Sequence, residues 1–432
     1  MAPAPLKPWQ FPPATSVLRF RNAKIIDVVN GKVIEGNDLF IKDGKFAFSV
    51  EEEAEVETID LNDKYYLCPG LINSYIHLTA AAGHETMREL FDTNLNTVAY
   101  RTAWHCKTIL RRGFTTVRDT GGADFALKQA LAEGAIIGPR VFIAGRALSQ
   151  TGGHGDLRQT HQGAEFKCCD HNRPGFGRVC DGVPQCLEAA RDELRQGADF
   201  LKIMIGGGVV SPADPIDMLQ FTAEEIRAIT TVAGQMGKYV TAHAYTAEAI
   251  RHAVDNGCKG IEHGNFIDHE TAKLCAEKGV TITPTLYFAM LDPPYDEFLP
   301  PEGQLKNQQI IDNGFAALNT IHDAGVPLGY GSDLLTGMCV RQNDEFAIRA
   351  KALPDVEVLR SATVTGAKLV GCETSLGQIE SGFIADLIIL NSNPLENVSI
   401  LSSPDECTQA VIKEGRVVTS KVKGLPPHAM YI

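Results

Sequence analysis

FLKIMIGGGVVSPADPIDMLQFTAEEIRAITTVAGQMGKYVTAHAYTAEAIRHAVDNGCKGIEHG, residues 200–264, reads as strand, helix, strand, helix, strand. FLKIMI (200–205), YVTAHA (239–244) and GIEHG (260–264) are short apolar runs. The stretches between them, TAEEIRAITTVAGQMGK (222–238) and TAEAIRHAVDNG (246–257), open on threonine followed by acids and close at glycine, which is helix-capping chemistry. Strands that alternate with helices call for a parallel sheet with crossover helices. The same alternation extends outward through YLCPGLIN (66–73), FTTVRD (114–119) and RVFIAG (140–145) on one side, and VTITPT (280–285) and PLGYGSD (327–333) on the other. Eight alternations favour an α/β fold of the closed (β/α)8 TIM-like barrel type. An open doubly wound sheet is the arrangement that count and period leave open beside it.

The two ends of the chain read differently. Over residues 17–57, VLRFRNAKIIDVV, KVIEGNDLFIKD and KFAFSV alternate with Gly- and Asn-containing turns. DLIIL (386–390) and QAVIKEGRVVTS (409–420), with a turn at Glu414-Gly415, repeat the pattern far downstream. The expected division is residues 1–67 and 376–432 as two parts of one sheet domain, with residues 68–375 as the barrel.

With 44% hydrophobic and 22% charged residues in 432, the chain has the composition of an ordinary globular protein. Its net charge of −13 disfavours nucleic acid, which needs a clustered basic surface. No run approaches the ~18 apolar residues of a membrane span, and MAPAPLKPWQFPPATS lacks the apolar core of a signal peptide. Eleven scattered cysteines resemble reduced thiols more than a disulfide framework. The expected setting is the cytoplasm, with a small-molecule substrate and neither nucleic acid nor membrane as partner.

Two long connections are expected to act as lids or binding segments: residues 152–184, which carry His154, His161, His171, Cys168, Cys169 and Cys180 with Cys186 close behind, and residues 286–303. These cysteines lack paired C-x2-C spacing and read as loop thiols rather than a zinc site. GGGVV (206–210) lacks the Gly-Lys-Ser/Thr ending of a phosphate loop, and reads as a place of close backbone approach or a turn.

The reactive residues fall in register on this frame. His77 follows the first run, Lys202 lies in the fourth, His243 and His263 end the fifth and sixth, and Asp333 ends the eighth. In a barrel these strand ends converge. A single such histidine is most often a hydrogen-bonded core residue, but the whole set at corresponding positions is hard to obtain by chance. Lys and Asp are moreover costly to bury unless paired or metal-bound. Three imidazoles and a carboxylate suit zinc or another divalent metal.

PGLINSYIHL (69–78), GADFLKIM (197–204), VTAHAYT (240–246), GIEHGN (260–265) and YGSD (330–333) follow one another in this order, and ATVTGAKLVG (362–371) and LGQIESGFIADLIIL (376–390) come after them. The succession resembles the amidohydrolase superfamily across nearly the whole chain, above all its imidazolonepropionase-like branch with Xaa-Pro dipeptidases and ochratoxinase-like amidases. TGGHGD (151–156) is similar to that branch's loop between the third and fourth strands. The resemblance implies a small β-sandwich built from both chain ends, a carboxylated Lys202 as bridging anionic ligand, and His243 and His263 on one metal. It implies that Asp333 holds the other metal or acts as general base, that His154 contacts the substrate, and that the chain forms a homo-oligomer. Tyr245, within VTAHAYT, is a further substrate-binding candidate.

The chain departs from the family pattern where Asp-x-His-x-His becomes Asn73-Ser74-Tyr75-Ile76-His77. A phenol, with a pKa near ten, is a poor ligand at neutral pH. One tight metal, expected to be zinc, and a second weak or absent one follow, with Tyr75 as an acid, a ligand or a filler of space. The leading expectation is hydrolysis of an amide or peptide-like C–N bond by a metal-bound hydroxide, with Asp333 shuttling the proton and His154 polarising the carbonyl. One alternative is a decarboxylase, lyase, isomerase or cyclase on the same scaffold, using Tyr75 and a mononuclear metal. The other is a catalytically silent binding protein, against which the retained Lys202, His243, His263 and Asp333 argue.

Overall fold

The computed structural model describes residues 17–51, 55–158, 161–162, 175–211, 214–286 and 301–431, with 7, 9, 10, 292, 295, 298 and 299. The two capped stretches form helices Ala223–Gln235 and Ala247–Asp255. Thr222 accepts from Glu225 N while the Glu225 carboxylate accepts from Thr222 N, a reciprocal capping box. Ile226, Ile229, Val232 and Ala233 form the buried stripe of the first helix.

These helices alternate with a parallel sheet of Leu201–Met204, Val240–Thr246, Gly260–Phe266 and Thr281–Thr283, extended on its other side by Ala147–Ser149 and Gly177–Val179. Its register sets Lys202 beside Thr241, Met204 beside His243, and Ala244 beside His263. A second parallel sheet joins Leu71–Ile76, Phe114–Asp119 and Arg140–Ile143. Neither sheet is closed. Single hydrogen bonds cross between them: Asp199 N to Ile143 O (2.7 Å) at one seam, and Gly329 N to Ile282 O (2.8 Å) and Ser74 N to Tyr330 O (2.7 Å) at the other.

Both chain ends meet in one six-stranded sheet, in the order Arg416–Ser420, Thr408–Lys413, Leu387–Leu390, Tyr66–Pro69, Lys24–Asp27, Lys32–Ile34. The hairpin turns at Glu414 and Gly415, both at positive φ. A four-stranded sheet of Lys45–Ala47, Leu39–Lys42, Val17–Arg21 and Val56–Asp60 shares its core, where Phe20, Phe46, Leu67 and Ile389 are buried. Two of the N-terminal pairings are parallel, so this unit is mixed rather than antiparallel throughout.

Three sequence readings need correction. YLCPGLIN is two strands: Tyr66–Pro69 pairs in the end sheet and Leu71–Ile76 in the parallel sheet. Gly70 makes the transfer, donating to Asp386 O, and a Cβ there would lie 2.3 Å from Thr115 Oγ1. Gly70→Ala is therefore expected to destabilise the fold by about 1–3 kcal/mol through overpacking, read as a lower urea midpoint. An unchanged midpoint would mean that the neighbours yield at no cost. The second correction is PLGYGSD, which forms no strand among the described residues and joins the sheets only by the isolated bridge Ile282–Leu328 and separate backbone hydrogen bonds, such as those of Gly329 and Tyr330. Pro327 has no N–H to donate, and Gly331 is squeezed so closely that a Cβ would meet Thr283 at 2.5 Å and Tyr75 at 2.7 Å. Third, residues 152–184 are not one open loop, since Gly177–Val179 joins the sheet and a helix begins at Gly182.

Cys180 and Cys186 are buried free thiols with sulfurs 3.9 Å apart, and His161 is exposed. Cys168, Cys169 and His171 lie outside the described residues, as does most of 287–300. Among the described residues no helix is long and apolar enough to cross a membrane.

Candidate active site

The strand register brings Tyr75, Lys202, His243 and His263 into one cluster, joined by His77, one residue past its strand, and by Asp333, whose N–H donates to Tyr75 O at 3.0 Å, with His154 and Tyr245 against it. His243 Nδ1 and His263 Nε2 are 2.8 Å apart, and the Tyr75 hydroxyl is 3.1 Å from the same His263 nitrogen. Lys202 Nζ donates to Tyr75 Oη at 3.2 Å and lies over the phenol ring. His77 Nε2 is 3.2 Å from Asp333 Oδ1. His263 and Asp333 both hold positive φ (+78° and +46°), a strained backbone for such residues and one that concentrates at functional sites.

The far side of each histidine decides what its near side offers. His243 Nε2 faces Gly207 O at 3.0 Å and His77 Nδ1 faces Gly121 O at 2.7 Å. A carbonyl only accepts, so both nitrogens carry the proton; the neutral His243 ring then presents a lone pair inward at Nδ1, while His77 Nε2 faces the Asp333 carboxylate, an acceptor to which it donates when protonated. His263 Nδ1 sits 2.7 Å from Thr285 Oγ1, a hydroxyl that can accept from Nδ1–H or donate to Nδ1; in the tautomer in which it accepts, His263 Nε2 also presents a lone pair inward. Burial holds His243 and His263 well below the ordinary imidazole pKa, and His154 and Lys202 push His243 further down, as His243 and Lys202 do His263. Burial also acts to lower His77, but the Asp333 carboxylate outweighs it and the net shift is upward.

Lys202 is 1% exposed. Burial lowers its pKa to about 8, against the pull of Glu262 and Asp333 upward. Tyr75 is raised well above a free phenol, first by burial and then by Asp333. The floor beneath is polar as well. Arg118, wholly buried, donates to Glu262 Oε1 (2.6 Å), Ser74 O (2.7 Å) and Tyr239 Oη (2.9 Å), tying the strand of Tyr75 to that of His263. Asp119 accepts from Leu78, Gly121 and Ala123 N–H groups, and so sets the turn that holds His77; burial still pushes its pKa up to about 6.

His154 stacks on His243 with ring centres 4.2 Å apart, and its Nδ1 bonds Ser211 Oγ at 2.7 Å. Gly208 lets the ring in, because a Cβ there would lie 1.9 Å from it, so GGGVV serves close approach to a side chain of the site. Tyr245 stacks on His263 at 4.5 Å. Above the cluster opens a cavity lined by Tyr75, His77, His154, Tyr245 and Asp333, with apolar walls from Leu157, Phe176, Met204, Val209, Val210 and Leu335.

Among the described residues no three His, Cys, Asp or Glu side chains surround one point as a metal cage. The donors at the centre are instead two imidazoles with Lys202 and Tyr75. That set fits a divalent ion in its chemistry: ring nitrogens turned inward, each opposite nitrogen tied to an outer group that can accept its proton, and a lysine able to become anionic as a carbamate. Sequence reasoning missed Arg118, Asp119, Glu262 and Asn307. A charged pair within FTTVRD and the glutamate within GIEHG were readable signals; the carbonyls of Gly121 and Gly207 left none.

Comparison with known proteins finds relatives along nearly the whole chain. The sequence profile described as Amidohydrolase family matches residues 66–418. Ochratoxinase of Aspergillus niger is 30% identical over 425 residues, covering 91% of this chain and 87% of that protein. A crystallised amidohydrolase superposes with a TM-score of 0.89 at 38% identity, covering 94% of this chain and 100% of the other. A prolidase crystallised with N-methylphosphonate-L-proline gives 0.89 at 36% identity with the same coverage.

Proposed function

The chain belongs to the amidohydrolase family and is a hydrolase acting on C–N bonds, and from that premise we propose a metal-dependent hydrolase of dipeptides or related amides of small substrates. The observation that carries the reading is the pair of inward-turned ring nitrogens of His243 and His263, 2.8 Å apart, beside a buried lysine. We further read the two parallel sheets and residues 327–333 as one (β/α)8 barrel, beside a β-sandwich from both chain ends; the hydrogen bonds across both seams support this.

A divalent ion, zinc by its nitrogen donors, would be held by His243, His263 and a carboxylated Lys202, with His77 and Asp333 beside them, and when bound it supplies Lewis-acid polarisation of the amide carbonyl and of water. Asp333 takes the proton of the attacking water and returns it to the leaving nitrogen, and His77 holds Oδ1 in place. His154, fixed by Ser211, and Tyr245, fixed by its stack on His263, hold the substrate's carbonyl and carboxylate. Apolar walls pack its side chains and exclude water. Tyr75 Oη donates a proton to the atom that occupies the place of the family's missing histidine.

The purified protein, assayed on a panel of dipeptides and N-acyl amino acids, is expected to release free amino acid. Chelation should abolish the activity and zinc should restore it. Turnover that is indifferent to exhaustive chelation would overturn metal dependence, and no turnover with any amide would overturn the substrate class.

A further inference from the structure

We infer that Asn307 reads the substrate's α-amino group, so that this site selects dipeptides with a free amine over otherwise identical acyl amino acids that lack one. The inference rests on the hydrolytic reading above and names the substrate class within it.

Asn307 stands on the buried stripe of helix Pro301–Asp323, among Gly303, Ile310 and Gly314. It is 2% exposed, and asparagine is a poor helix former, so on structural grounds an aliphatic residue would serve better there. Its Oδ1 is sealed from solvent and has no hydrogen-bond partner among the described residues. A buried amide oxygen left unmet is destabilising, and such orphans call for an explanation. Here its position supplies one, because Asn307 lines the cavity together with His154, Tyr245 and Asp333.

The neighbouring residue anchors this helix to the site. Lys306 Nζ donates to Gly208 O (3.1 Å) and Asp214 O (2.8 Å), on the loop whose Gly207 O orients His243 and whose Ser211 orients His154. Asn307 is thereby held in a set relation to the groups that would hold the scissile amide. The unmet atom is an acceptor, so its complement is a donor. Among the described residues lining the cavity there is one carboxylate, Asp333, and neither lysine nor arginine, a wall that suits a cationic donor. An α-ammonium group meets both requirements.

The test compares alanyl-proline with propionyl-proline, and alanyl-phenylalanine with propionyl-phenylalanine; each pair differs only in the amine. The wild type is expected to favour the amine-bearing member by about 10- to 100-fold in kcat/KM, the range of a hydrogen bond to a charged group. Asn307→Leu should erase that preference by lowering only the amine-bearing substrate, while Asn307→Asp, which keeps an acceptor oxygen, should retain it. Asn307→Ala replaces the leucine variant if circular dichroism shows the latter misfolded. Equal turnover of both members by the wild type, or equal losses in Asn307→Leu, would overturn the inference and leave the hydrolytic reading intact. Failure of every amide tested would instead overturn that reading.

Discussion

Replacing either His243 or His263 by alanine is expected to strip the bound metal and to lower kcat/KM by roughly a thousandfold or more, the several kcal/mol of Lewis-acid stabilisation taken at tenfold per 1.4 kcal/mol. Their inward nitrogens lie 2.8 Å apart, so each removes half of a shared donor pair. Metal per chain by elemental analysis is the decisive readout, alongside kcat/KM and a circular dichroism spectrum that shows the fold intact. If either variant kept wild-type metal and turnover, that histidine would be a packing residue and the site would be misassigned. Lys202→Ala should lose metal in the same way. A buried amine whose pKa falls to about 8 is in part neutral near physiological pH, the form that combines with carbon dioxide. Short carboxylic acids should then partly restore metal to Lys202→Ala. An unmodified lysine amine in a high-resolution map at full metal occupancy would refute carboxylation.

Tyr75→Phe is the second substitution with a large expected effect, a loss of about a hundredfold in kcat, within the usual range for a general acid. The ring stays and packs as before, while the hydroxyl that bridges His263 Nε2 and Lys202 Nζ is deleted. Lys202 keeps only its position 4.3 Å above the ring centre. Tyr75→His should instead raise the metal count from one toward two, by returning a nitrogen to the position beside His77 and Asp333. Two tightly bound metals in the unaltered protein, together with full activity in Tyr75→Phe, would reduce Tyr75 to a filler and return the enzyme to a dinuclear mechanism.

Much of this was legible before any coordinates. FTTVRD became Phe114–Asp119 residue for residue, and the Thr222 and Thr246 caps opened the helices expected of them. Tyr75, Lys202, His243 and His263 came together because strand ends in parallel register converge, whereas Asp333 arrives on a strandless segment bonded to Tyr75 O. YLCPGLIN was misread because an apolar run says nothing about which sheet it pairs with. A single glycine, placed where Thr115 permits no side chain, divides it. PLGYGSD looked like a strand by composition, but its glycines are there for close approach to Tyr75 and Thr283, residues far away in the chain.

By itself the sequence determined the alternation of elements, the family, and the identity of the strand-end residues, including the break at Tyr75. These are properties of neighbours along the chain: caps, periodicity and motif order. Only the tertiary structure decided what each of those residues can do. Which histidine nitrogen turns inward depends on Gly207 O and Gly121 O, Tyr75 Oη meets Lys202 and His263 across the cluster, and Asn307 reaches the cavity because Lys306 pins its helix to a distant loop. Each of these is set by a contact between segments tens to hundreds of residues apart, and the backbone groups among them carry no signature in the order of side chains.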